Sequence, residues 1–176
     1  MKAAEKILVF GSIPIIILLA FLIVWKAGIF GVSGDKLEQD ARRQQHIEED
    51  WQVAQAKNED LCAMLFYDPD KEDYTYSIYL THEGLSFGYF FRQGGRDAYM
   101  GESVKGIVYE DKGIALLSLN QDRVCKIVVG NPGNAQETIQ VDPGKPFVVV
   151  LPVGCEEIIL YDARENIVSL YDTYTG

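Results

Sequence analysis

The chain has 176 residues and a formal net charge of −10. Outside Lys2, Glu5, Lys6 and Lys26, it carries 25 acidic against 13 basic residues, a net −12. A body that acidic excludes nucleic acid and anionic lipid headgroups as partners, since both select a positive surface. Three cysteines, Cys62, Cys125 and Cys155, are too few for a disulfide scaffold.

Residues 1–6 form a short basic tail. From Ile7 to Trp25 the chain reads ILVFGSIPIIILLAFLIVW, without a charge. As a helix this run is about 28 Å long, close to the hydrocarbon thickness of a bilayer. Trp25 and Lys26 suit the interface at its end, and Pro14 is tolerated within a membrane helix. The expectation is a transmembrane anchor over residues 7–26, inserted in the lipid bilayer. The run is longer than a signal-peptide core, and no small-x-small cleavage site precedes a polar start. Lys2, Lys6 and the α-amino group outweigh the single nearby Lys26. The positive-inside rule therefore puts the N-terminus in the cytoplasm and the C-terminal body outside it.

Residues 27–60 read as a small-residue joint, AGIFGVSG, followed by a polar stalk helix from Asp35 to about Lys57. Asp35 with Glu38 matches a capping box. Ile47, Trp51 and Ala54 share a helical face, so Ile47 and Trp51 are expected to dock the stalk on the body. Asp40 and Gln44 interrupt the pattern a coiled coil requires.

From Leu61 the hydrophobic period becomes two. Tyr74, Tyr76, Ile78 and Leu80 alternate with Thr75, Ser77 and Tyr79; Leu85, Phe87, Tyr89 and Phe91 with Ser86, Gly88 and Phe90; and Cys125, Ile127 and Val129 with Val124, Lys126 and Val128. Turn clusters separate the runs: Asp68-Pro69-Asp70, Glu83-Gly84, Gly94-Gly95, Asp111-Lys112-Gly113, Asn131-Pro132-Gly133-Asn134, Asp142-Pro143-Gly144 and Asp162–Asn166. The fold class expected is all-β. Residues 61–176 form a two-sheet β-sandwich of about nine or ten strands, preceded by the membrane helix and the stalk. Cys62 and Cys125 lack the tryptophan and tyrosine that mark an immunoglobulin bridge, and no family is identified.

Chemistry is sparse. His46 lies in the stalk and His82 in a turn, and no nucleophile elbow, zinc-binding helix or phosphate loop occurs. No catalytic residue, metal ligand or cofactor is assigned. The acidic run Asp68–Asp73 begins like a calcium loop but has Asp73 where glycine is required and Tyr79 where glutamate is required. It reads as a solvated turn.

The segment Phe87–Met100 is the most suggestive. Aromatic residues on both faces of one strand run into Gly94-Gly95, and Arg96 and Tyr99 follow. Aromatic and arginine side chains together mark binding surfaces, and rings stack on sugars. Phe90, Arg92, Arg96 and Tyr99 are the candidate ligand- or partner-binding residues. The expected function is a single-pass, extracytoplasmic interaction or ligand-binding module of the cell envelope, with a protein or polysaccharide partner. The alternative is a membrane-tethered structural or secretion-assembly subunit, self-associating through the stalk as a homo-oligomer. A surface hydrolase ranks below both.

Overall fold

A computed structural model describes residues 18–19, 29–84, 87–130, 136–155 and 157–174, with side chains as far as Tyr171. Apart from Leu18 and Leu19, which are helical and exposed, the apolar run 7–26 lies outside the described residues. So do Leu85 and the Asn131–Asn134 turn. Among the described residues no helix is long and apolar enough to cross a membrane.

The described chain is all-β, with two short helices. In order it forms α1 (Leu37–Gln45), β1 (Gln52–Lys57), β2 (Leu61–Tyr67), β3 (Tyr74–Leu80), β4 (Phe90–Gly95), α2 (Ala98–Glu102), β5 (Val104–Tyr109) and β6 (Gly113–Ser118). There follow β7 (Val124–Gly130), β8 (Glu137–Gln140), β9 (Phe147–Leu151), β10 (Glu157–Asp162), β11 (Ile167–Val168) and β12 (Leu170–Tyr174). The strands make three four-stranded sheets, ordered β1-β2-β3-β4, β12-β5-β6-β9 and β11-β10-β7-β8. Neighbouring strands are antiparallel except β12, which runs parallel to β5 and returns the end of the chain to the middle sheet.

The expected two-sheet sandwich is thus replaced by three sheets in a stack. The reason lies in β2 and β6, both apolar on both faces and buried along their whole lengths. Leu61, Ala63 and Leu65 of β2 meet Ala115 and Leu117 of β6 in one core. The opposite side of β6, Ile114 and Leu116, meets Val124, Ile127, Val129 and Leu160 of the third sheet. The opposite side of β2, Cys62, Met64 and Phe66, is covered by Leu37 and Ala41 of α1 and by Tyr79. A strand that alternates only between apolar side chains needs cover on each face, and here a sheet or a helix supplies it.

α1 is shorter than expected. His46 adopts a left-handed conformation (φ 56°) at its C-cap, and the Ile47 N–H donates to the Arg42 carbonyl at 2.9 Å. Gln52–Lys57, good helix formers by composition, instead pair with β2 from Gln52↔Tyr67 to Lys57↔Cys62. Ladder formation beside a buried strand outweighs a propensity difference of a few tenths of a kcal/mol per residue. Asp35 is not the N-cap. Lys36 occupies that position without a side-chain cap, and the Asp35 carboxylate is held below its ordinary pKa first by a hydrogen bond from Ser33. Inside α1 the buried Asp40 ties the helix to the sheet through side-chain partners. It accepts from the Tyr79 hydroxyl at 2.8 Å and from Gln44 at 2.6 Å, and pairs with Arg43.

Ile47 and Trp51 lie in the connection between α1 and β1. Both are partly buried against the cluster of Leu37, Ala41, Met64 and Phe66. Arg42 ties this connection down by donating to the carbonyls of Glu48 (2.8 Å) and Trp51 (2.9 Å) while lying over the Phe66 ring.

Candidate functional site

β4 is an edge strand, so its aromatic residues are half-covered rather than sealed between layers. Its pairing with β3 slips between Ile78 and Tyr79. Ile78 faces Gln93 and Tyr79 faces Phe91, which leaves Arg92 as an extra residue in a bulge. Bulges redirect side chains at sheet edges. Here the result is that Phe90, Phe91 and Arg92, three consecutive residues, all line one cleft of about 230 Å³.

The other wall of the cleft comes from two turns. His82 follows β3 and stacks on Phe90 with ring centroids 4.0 Å apart and planes 5° from parallel. Tyr109 and Lys112 come from the β5–β6 hairpin. Lys112 is tethered, with its ammonium 3.6 Å from Asp111 and 3.9 Å from Asp60, and its carbonyl accepts from Asn58 at 3.3 Å. Asp60 also accepts from the Thr81 hydroxyl, which fixes the turn that carries His82. The site therefore offers a pair of stacked rings, a second aromatic edge at Phe91, and around it the guanidinium of Arg92, the ammonium of Lys112 and the carboxylate of Asp111. Such a surface can stack on a flat or hydrophobic group and donate to oxygens beside it.

Arg96 and Tyr99 stand elsewhere. Arg96 is closed on its own neighbours: it pairs with Asp73 at 2.8 Å, donates to the Glu72 carbonyl at 3.0 Å and lies 4.9 Å over the Tyr74 ring. It borders two open hollows at the Tyr74 end of β3, the end opposite to the cleft, one shared with Trp51 and the other with Gly101 and Leu119. Tyr99 is the second residue of α2, where the Asp97 carboxylate caps the helix by accepting from the Tyr99 N–H. Its ring stacks on Tyr171 of β12 at 4.5 Å, with the buried Lys105 ammonium 5.3 Å above it. The four candidates thus divide between the cleft (Phe90, Arg92) and two separate places. Gly94 and Gly95, expected as a turn, are paired with Ser77 and Tyr76 as the end of β4.

Among the cleft residues that the sequence did not mark as a site are His82, Tyr109, Asp111 and Lys112. His82 and Lys112 each fall in a recognised turn, but nothing local links turns thirty residues apart. The acidic loop Asp68–Asp73 serves the β2–β3 turn: Asp68 accepts from the N–H groups of Glu72 (2.8 Å) and Asp73 (3.1 Å). Among the described residues no three His, Cys, Asp or Glu side chains gather where they could hold a metal ion. The three cysteines are free, and burial raises the Cys62 thiol to about 11.

Fold and cleft define an all-β protein with an aromatic cleft, bordered by charged side chains, at one sheet edge. No protein-family model, curated protein or solved structure matches this chain.

Proposed function

We propose that the chain is a single-pass, membrane-anchored protein whose β body stands outside the cytoplasm and binds a protein or polysaccharide partner of the envelope. The observation that carries the binding part is the cleft at the β4 edge, where the bulge turns Arg92 beside the Phe90–His82 stack. The anchor part rests on the uncharged run from Ile7 to Trp25. Its mechanism is tethering, which raises the local concentration of the cleft towards partners at the membrane. The role proposed is a non-catalytic one, since the sequence carries no nucleophile elbow, zinc-binding helix or phosphate loop.

Protease added to intact cells tests the placement, with any outer membrane permeabilised and a tag at the C-terminus. Digestion of the tag from outside is the expected result, and protection until the membrane is lysed overturns it. Site-specific crosslinking from the cleft in the same cells tests the binding. A discrete adduct that disappears in Phe90→Ala and in Arg92→Ala is expected. An adduct pattern indifferent to both substitutions removes the cleft from the reading.

A further inference from the structure

Phe30 and Phe87 are the most exposed pair of large apolar side chains in contact within the described body, at 61% and 60%, with their rings stacked at 5.9 Å. They are held there by a small backbone ladder. The Phe87 N–H donates to the Ile29 carbonyl (2.8 Å) and Gly31 to Phe87 (2.7 Å), while Val32 and Tyr89 exchange bonds of 2.7 and 2.8 Å. The two segments approach so closely that only glycine fits at Gly31 and Gly88. A Cβ on Gly31 would stand 2.5 Å from the Tyr89 carbonyl oxygen, and one on Gly88 (φ +90°) 2.6 Å from that of Val32. In a regular strand Phe87 and Tyr89 would share a face. Here Val32 and Tyr89 pack inward under α1, Tyr89 donating to the Asn58 carbonyl at 2.7 Å, while both phenylalanines remain outside. The ladder thus fixes two uncovered rings to the body.

Chain length says what can cover them. Phe30 follows Trp25, the last residue of the uncharged run, by five residues, a reach of at most about 17 Å. Within that run the two described residues, Leu18 and Leu19, are helical and 58% and 53% exposed, also without cover. With the run across a bilayer, Trp25 lies at the interface, and the interfacial layer extends about 6 Å beyond the hydrocarbon. Both rings are then within reach of it. The net −12 of residues 27–176 opposes attraction to anionic headgroups, so an apolar contact is the one this body can make.

We infer that the Phe30–Phe87 pair is a foot that inserts into the outer interfacial layer of the membrane and fixes how the β body stands on it. The inference rests on the membrane-anchor reading, and the experiment separates the two. Full-length protein is reconstituted in phosphatidylcholine vesicles, and tryptophan emission is read against lipids brominated at shallow and deep positions and against aqueous acrylamide. The difference between parent and Trp25→Phe isolates Trp25, and the difference between Phe87→Trp and parent isolates the new ring. The expected result is blue-shifted emission from the new ring, lost to shallow brominated lipid and shielded from acrylamide. Loss of Trp25 emission to brominated lipid, with the new ring open to acrylamide, overturns the foot and leaves the anchor standing. A new ring shielded from both quenchers is covered by protein, such as a second copy, and also overturns it. If neither ring responds to brominated lipid, the anchor reading fails and the foot fails with it.

Discussion

β2 and β4 belong to the same sheet, two places apart, and both are rich in large side chains, yet they live in different environments. β2 is buried at all seven positions, between α1 on one side and the middle sheet on the other. β4 has the sheet on one flank only, and a bulge leaves Phe91 and Arg92 exposed. β2 is apolar at all seven positions and β4 only at Phe90 and Phe91, yet both carry phenylalanine rings, and whether a ring is core or candidate site follows from the strand's place in the sheet. An interior strand spends its aromatic residues on packing, whereas an edge strand keeps some of their surface for another molecule.

The sharpest break of this comparison is to truncate one ring in each strand. Phe66 of β2 is fully buried under Arg42. Phe66→Ala is expected to cost about 3–5 kcal/mol, and the matching Phe91→Ala at the edge about 1 kcal/mol or less, by urea denaturation. Equal losses would mean that β4 is as much core as β2.

Next in size is the titration of Cys62, also in β2. Burial raises its thiol from 9.0 to about 11. The folded state therefore holds a proton that the unfolded chain releases. The thiol's contribution is intact below pH 9 and is lost as pH rises towards 11, by about 2–3 kcal/mol. Stability measured from pH 8 to 11 should fall less steeply in Cys62→Ala than in the parent. Identical slopes would show that solvent reaches β2. Tyrosines contribute to both slopes, Tyr79 among them, its hydroxyl raised first by burial and then by its bond to Asp40.

The smallest effect sharpens the comparison from the surface. Arg96 and Asp73 pair at 2.8 Å, but both side chains are more than half exposed. Arg96→Ala should change stability by about 1 kcal/mol or less, and added salt should diminish the difference further. A larger loss would make the Tyr74 end of β3 part of the scaffold's core.

Much of this body is written locally. The period-two runs of Tyr74–Leu80 and Val124–Val129 are strands β3 and β7, and Asp68–Asp70, Asp111–Gly113, Asp142–Gly144 and Asp162–Asn166 are turns. Local chemistry suffices there, because alternation and turn residues act within a few positions. Gln52–Lys57 misled because its composition suits a helix while its partner, β2, decides otherwise. Half of the candidate site was legible: Phe90 and Arg92 share the cleft, and Arg96 and Tyr99 do not. The remaining cleft residues arrive from turns far along the chain.

By itself, then, the sequence determined the all-β class, the acidic surface, most turn positions and the uncharged run before residue 27, since each follows from nearest-neighbour composition and spacing. Only tertiary structure decided that there are three sheets rather than two, that β12 returns beside β5, and that Arg92 occupies a bulge. Only it decided that Phe30 and Phe87 stand together outside. Those outcomes depend on which strands meet across dozens of residues, and such meetings are settled by burying whole faces at once rather than by any one segment's preference.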